Sequence, residues 1–372
     1  MTVLQLRSVS GVRNPAGRRS LRTLSRYIVV ATAIAGLAAC AADTTSPDST
    51  AEARNNKKGG SVPPPPPPTP DPTPTPIPVG ANPIAGATFW VNPSSNAKNT
   101  ADSWRASRPA DAAQMDKIAN GSQAQWFGGW SGDIYTAITN AVNTVTASGA
   151  VPVFVAYNIP QRDCGGLSGG GGATADAYKT WISGFARGLT GKRAVVILEP
   201  DALTQMDCLS ASDQATRVSL IQYAIAVIKT ASSNVAVYLD GGHSAWKSAS
   251  DQAARLTRAN VAAADGFALN VSNFQYTSNS IAYGKAISAL IGGKHFVIDT
   301  SRNGLGPTAD NQWCNPAGRA LGPSTSTSTA DPLVDAYLWI KAPGESDGAC
   351  NGAPAAGAWW ADYALGLAQR AQ

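Results

Sequence analysis

Seven short apolar runs, recurring every 30 to 45 residues or so, constrain this chain more than any other feature. They are TFWVN (88–92), VPVFVAYNI (151–159), AVVILEP (194–200), VAVYLD (235–240), GFALNVS (266–272), HFVIDTS (295–301) and AYLWIK (336–341). Segments with helical spacing lie between most of them: ADAYKTWISGFARGLT (175–190), DQATRVSLIQYAIAVIKTA (213–231) and SIAYGKAISALIG (280–292). Near-continuous apolar strands alternating with helices read as a parallel sheet covered on both faces. Seven such units suit a closed or nearly closed β/α barrel better than an open sheet.

The ends of these runs carry the chemistry. Followed to its C-terminal edge, nearly every run meets a polar group: Asp163, Asp201, Asp240, Asn270, Asp299 and Lys341. In β/α barrels that edge is where an active site is assembled from several strands at once. The segment VVILEPDALTQMDC, in which four apolar residues stop at Glu199-Pro200-Asp201, therefore directs its acids toward a shared mouth.

Charge and composition narrow the class. The formal charge of +5 belongs to the leader, since residues 1–40 hold six arginines and no acid, and the remainder has 23 basic against 24 acidic residues. A nucleic-acid partner needs a basic face, and none is left. The leader reads as a signal peptide: an Arg-rich start, the apolar run YIVVATAIAGLA, then LAAC ending at Cys40, similar to a bacterial lipobox. That implies export with lipid on Cys40 and association with a membrane, as a cell-surface or outer-membrane lipoprotein; a plain signal cut nearby, giving a secreted protein, is the alternative. Residues 41–82 form a polar stretch and a proline-rich stalk, PPPPPPTPDPTPTPIPVG, suited to extended polyproline II. Residues 83–372 are expected to form one domain. With Cys40 lipidated, four of the five cysteines remain, Cys164, Cys208, Cys314 and Cys350, enough for two disulfides in an oxidising compartment. The oligomeric state is left open.

Several carboxylates around one cleft suit metal binding or acid–base work. The chain has only two histidines, no HExxH, EF-hand or CxxC pattern and no GxSxG, so neither a metal, a cofactor nor a serine nucleophile is expected. The glycine-rich CGGLSGGGGAT (164–174) lacks the Gly-Lys-Ser/Thr ending of a phosphate loop and reads as a mobile flap. Paired carboxylates acting on an acetal survive this elimination: one protonated acid donates to the leaving oxygen while another carboxylate activates water or attacks. Trp126, Trp246 and Trp313 sit in turn-like contexts where indole faces could stack on sugar rings, although most tryptophans are simply core.

VAYNIPQRDC (155–164) and VVILEPDAL (195–203) resemble the two signature motifs of glycoside hydrolase family 6, the cellulases. YLDGGHSAW (238–246), VIDTSRNGLGP (297–307), WCNPAGRALG (313–322) and LWIKAPGESDG (338–348) agree with it in order and spacing, so the resemblance covers residues 85–372. It implies a distorted β/α barrel of about seven parallel strands, with the cleft at their C-terminal edge. It implies hydrolysis of β-1,4 glucosidic bonds with inversion, on a β-1,4-glucan substrate.

The same resemblance suggests roles. Asp201 matches the general acid, Asp163 the aspartate that modulates it and helps order the catalytic water, and Asp347 the candidate base; Asp163 and Asp347 are rivals for that last role. Asp240 matches a supporting cleft aspartate, and Tyr157 the residue beneath the sugar at the cleavage point. Trp126, Trp246 and Trp313 match stacking platforms; His243, Asn270, Asn273, Lys341 and Glu345 match hydroxyl-binding residues. Cys164 pairs with Cys208 and Cys314 with Cys350. Glu199 is expected to anchor the scaffold and Asp299 to form an internal salt bridge. Relatives carry a water-contacting serine after the first cysteine, and here Ser168 is its one candidate. The interval from Trp313 to Asp347 is short, without the long insertions that make a tunnel, which favours an open cleft and an endoglucanase over a cellobiohydrolase. A surface glucan-binding lipoprotein without catalysis is the reading from another class.

Overall fold

Residues 80–372 are described by the computed structural model. The expected signal segment with Cys40, and all but the end of the stalk, lie outside them. Among the described residues seven strands form one sheet in the order of the chain, every neighbouring pair parallel. They are β1 (Gln125–Phe127), β2 (Val153–Ala156), β3 (Ala194–Leu198), β4 (Val235–Asp240), β5 (Gly266–Leu269), β6 (His295–Asp299) and β7 (Val334–Leu338). The sheet curls into a distorted barrel. At the seam between its first and last strands a single backbone bond, Ala124 N to Trp339 O at 2.9 Å, and the Trp126 indole N–H on Ile340 O at 2.8 Å, join the edges.

Helices α1 (Asn96–Trp104) and α2 (Pro109–Ala119) precede β1; α3 (Ile134–Thr146), α4 (Ala175–Gly188), α5 (Ala211–Ala231), α6 (Ala249–Arg258) and α7 (Thr277–Leu290) supply the crossovers from β1 to β6, whereas β6 joins β7 through loop, and α8 (Ala361–Gln369) follows β7. Several start on a side-chain cap. Asp133, Thr174, Ser210 and Ser248 each accept the backbone N–H three residues on.

The continuous apolar runs follow from burial on two sides. Val153 and Val155, Val195 and Ile197, and Ala236 and Tyr238 point into the barrel with Ala268, Val297 and Ala336. Phe154, Ala156, Val196, Leu198, Val237 and Leu239 point outward against the helices. A third cluster packs α1, α2 and α8 around Trp339. Below the mouth a buried polar group is paired across strands: Tyr238 donates its hydroxyl to Asp335 at 2.7 Å, and His295 Nδ1 lies 2.8 Å from the other Asp335 oxygen.

The first strand differs from expectation. Residues 88–92 make only one bridge, Phe89 to Val151, whereas the first strand of the sheet is Gln125–Phe127, inside the stretch read as a turn.

Candidate active site

The strand ends converge through backbone that few residues tolerate. Gln161, Asp163, Cys164, Glu199, Asp201, Asn270 and Ser272 all have φ between +48° and +69°. Left-handed, non-glycine backbone is uncommon and is stored at functional sites when its surroundings enforce it. Glu199 provides part of that enforcement. It is buried at the end of β3 and accepts the N–H groups of Asn158 and Ile159, each at 2.9 Å, which clamps the end of β2 to β3. Burial pushes its carboxyl up to about 7, against the pull of those two donors. It is the scaffold anchor it was expected to be.

Two residues on, Asp201 is half-buried, and no protein group hydrogen-bonds to its carboxyl among the described residues. Its backbone N–H donates to Asp240 Oδ2 at 3.0 Å, and Gly242 N–H donates to the same oxygen at 3.2 Å. The other Asp240 oxygen is buried without a partner. Burial raises the Asp201 carboxyl well above the usual carboxylate range, and the charges of Asp240, Asp163 and Asp347 raise it further. Asp240 is pushed up to about 7 by burial, while its two N–H donors favour its ionised form. Of this close pair, Asp201 is therefore the one that keeps a proton.

Asp163 is held differently. Ser168 donates both its N–H (2.9 Å) and its hydroxyl (3.0 Å) to Oδ2, and the Gln205 amide donates to Oδ1 at 3.2 Å. Since the serine's single proton goes to the carboxylate, the Tyr157 hydroxyl, 3.1 Å away, donates to Ser168 Oγ. Burial drives the Tyr157 phenol up, so it stays a donor. The glycine-rich loop, expected to be a mobile flap, is pinned. Arg162 donates to the carbonyls of Ser168 (2.8 Å), Tyr157 (2.7 Å) and Gly169 (3.2 Å), and Cys164 is joined to Cys208. At the loop tip Leu167 rests on Gly348, so the lips after β2 and β7 touch at that point.

On the β7 side Asp347 is almost buried and paired. Arg302 donates to Oδ2 at 2.9 Å, Asn315 N–H to the same oxygen at 3.0 Å, and the Lys341 ammonium lies 3.7 Å from Oδ1. Burial lowers the Lys341 ammonium below its ordinary value. The same lip is stapled by Cys314–Cys350, the second of the two pairings that the resemblance implied.

The aromatic residues divide. Trp246 and Trp313 are exposed, at 36% and 50%. Trp126 is half-buried, edge-on to Tyr157 with ring centroids 5.2 Å apart. His243 packs 5.5 Å from Trp246, and burial holds it neutral, lowered to about 4. Glu345 lies in the β7 lip, its carboxyl raised by burial. Asn273 is half-buried, with its side-chain oxygen accepting Phe274 N–H at 2.9 Å.

Two expectations need correcting. Asn270 is fully enclosed: its amide donates to Asp299 O at 2.8 Å and its oxygen accepts Gln275 N–H at 2.9 Å. It braces the β5–β6 mouth and has no face for a sugar hydroxyl. Among the described residues Asp299 forms no salt bridge. Its carboxylate accepts four backbone N–H groups, from Ser272, Ser301, Ile340 and Lys341, and so ties three strand ends together. Arg302, Asn315, Gln205 and Arg162, which orient the acids, were not singled out from sequence. All four do stand within the segments VAYNIPQRDC, VVILEPDALTQMDC, VIDTSRNGLGP and WCNPAGRALG, and an arginine three residues past a strand-end acid is the one further signal.

Residues 84–371 match the model of glycosyl hydrolases family 6. Endoglucanase A of Cellulomonas fimi is 43% identical over 287 residues, covering 76% of this chain and 61% of that protein. A probable 1,4-β-D-glucan cellobiohydrolase C of Aspergillus fumigatus is 31% identical over 292 residues, with 62% of this chain and 63% of that protein covered. The solved endoglucanase Cel6 of Mycobacterium tuberculosis, in complex with methyl-cellobiosyl-4-deoxy-4-thio-β-D-cellobioside, superposes with a TM-score of 0.74 at 45% identity, covering 78% of this chain and 99% of that one. The chain spans about three fifths of the length of endoglucanase A from Cellulomonas fimi and from Thermobispora bispora. On the extent of the family match and the identity to these relatives, the chain belongs to glycosyl hydrolase family 6.

Proposed function

We propose that this protein is an endo-1,4-β-glucanase that hydrolyses internal bonds of a β-1,4-glucan with inversion. The observation that carries the reading is the Asp201 carboxyl, which has no hydrogen-bond partner among the described residues and whose burial and neighbouring acids hold its proton. That is the state a general acid needs to protonate a glycosidic oxygen. Asp163, with Ser168 and Tyr157, orders the attacking water and takes its proton. Asp347 is the worse placed for a base, because Arg302 and the Asn315 N–H already occupy its Oδ2 and the Lys341 ammonium stands 3.7 Å from Oδ1; its negative charge raises Asp201 instead. Trp126, Trp246 and Trp313 would stack on sugar rings, and His243, Asn273, Lys341 and Glu345 would meet hydroxyls.

The likeness to bacterial endoglucanases and the short Trp313–Asp347 interval support internal cutting. A cellobiohydrolase is the second reading, favoured by the single point where the lips meet, Leu167 on Gly348. Export of the catalytic domain on its proline-rich stalk, with lipid on Cys40, completes the proposal; the two disulfides agree with an oxidising compartment. The test is viscosity against reducing-end release on carboxymethylcellulose. Internal cutting gives an early, steep fall in viscosity, abolished in Asp201→Ala. A slow fall with steady release of soluble sugar refutes the endo mode, and full activity of Asp201→Ala refutes the acid.

A further inference from the structure

Trp130 has no part in the site described above, yet it is the most exposed of the tryptophans named here, at 58%. It follows β1 in a single helical turn, Gly129–Ser131, on the same edge of the sheet as the acids. Its ring is fixed against the turn, because a Cβ on Gly128 would come within 2.4 Å of the indole. Ser131 Oγ accepts the Gly128 N–H at 3.1 Å and closes the turn. Behind the indole lies Arg162, whose guanidinium is 5.1 Å from the Trp130 ring centroid and 4.5 Å from that of Tyr157. Tyr157 in turn meets Trp126 at 5.2 Å. Trp126, Tyr157 and Trp130 thus form a row, continuous through the Arg162 side chain, with Trp130 at its exposed end.

The chemistry of this position selects a neutral, flat-faced ligand. Arg162 is buried and already donates to three carbonyls, so it is a poor partner for an anion. What remains for solvent is a rigid indole face, which gains by covering the apolar C–H face of a pyranose. We infer that Trp130 is an additional stacking platform, an outer glucosyl position that lengthens the binding cleft beyond Tyr157. The inference rests on the glucanase reading and deepens it, because it predicts how binding depends on the length of the substrate.

Initial rates on end-labelled cello-oligosaccharides from trimer to hexamer, measured with the full chain, test it. Trp130→Ala should raise KM for the hexamer roughly threefold to tenfold, as expected for one lost aromatic contact, and raise it less than twofold for the trimer. Trp130→Phe, which keeps a flat ring, should restore most of the hexamer's KM. An equal change at every length, or a fall in kcat with KM unchanged, overturns the platform and makes Trp130 a cover for Arg162. Should Trp130→Ala fail to fold, Trp130→Met, which covers Arg162 without a flat face, carries the same comparison. Wild-type protein that cleaves no length in the series overturns the glucanase reading and the platform together.

Discussion

At the scale of single residues the site depends on two carboxylates that differ in what surrounds them. Among the described residues Asp240 receives two backbone N–H groups on one oxygen, whereas Asp201 receives none. The proton therefore sits on Asp201, and the charge of Asp240 is, after burial, the largest cause holding it there. Asp240→Asn separates charge from shape, because the amide oxygen can keep both N–H bonds while its NH2 replaces an oxygen that has no partner. Removing the negative charge lowers the pKa of Asp201. A general acid works only while protonated, so the basic limb of the pH–rate profile must move to lower pH. A shift of about one unit costs about tenfold in rate on that limb, while activity well below it approaches that of the wild type. A pH–rate profile of the variant on cello-oligosaccharide measures this, and a limb that stays in place or moves upward contradicts the assignment.

Among the elements, the legible ones are those with a single physical signature. Six strands and the three quoted helices fall where apolar runs and helical spacing put them, because strands buried on both faces cannot hide their composition. The first strand was missed for a physical reason: three residues, Gln125–Phe127, followed at once by Gly128-Gly129, look like a turn until a neighbouring strand pairs with them. Acids such as Asp201 and Asp240 were readable because each ends a strand. The groups that aim them were not, since Arg302, Asn315 and Gln205 reach their partners from other elements and sequence spacing does not encode that contact. Asn270 looked like a ligand residue and is a brace for the same reason.

Helix packing offers a test at this scale. On α4, Gly184 and Gly188 face Ile134 and Ile138 of α3, and a Cβ at either position would come within 2.8 Å of the isoleucine. On α8, a Cβ on Gly366 would meet only the movable end of Arg370. Gly→Ala in a helix ordinarily gains about 0.5–1 kcal/mol, whereas overpacking costs about 1–3 kcal/mol. At Gly188 the cost wins, so Gly188→Ala should lower Tm by a few degrees; at Gly366 the gain wins, and Gly366→Ala should raise it slightly. Calorimetry of the two variants decides, and a stabilised Gly188→Ala would mean that α3 can move away.

For the whole molecule, the mouth of the barrel is assembled at the expense of stability. It holds left-handed backbone at several non-glycine residues and a group of enclosed acids, and the rest of the fold must offset both. The apolar barrel, the Asp299 hub and two loop-closing disulfides do so. The acids leave a signature in the pH dependence of stability. Glu199 and Asp240 are each raised to about 7, and Asp201, Asp299, Asp335 and Glu345 are also raised, all with burial as the first cause. An acid raised in the folded state binds its proton there after the unfolded chain has lost it. Its contribution to stability is complete below the unfolded value near 4 and is lost as pH rises through the folded value, about 7 for Glu199 and Asp240. His243, lowered to about 4, acts oppositely between about 6.5 and 4, but it is one group against six. Glu199 alone, raised from 4.5 to about 7, is worth about 3 kcal/mol across that window. For a domain of this size, Tm should therefore fall by roughly 5 °C or more from pH 5 to pH 8. Glu199→Gln keeps an acceptor for the Asn158 and Ile159 N–H groups and removes the titration, so its Tm should fall less over the same interval. Scanning calorimetry across that range gives both slopes, and a wild-type Tm that climbs with pH would show that the enclosed acids are ionised at no cost to the fold.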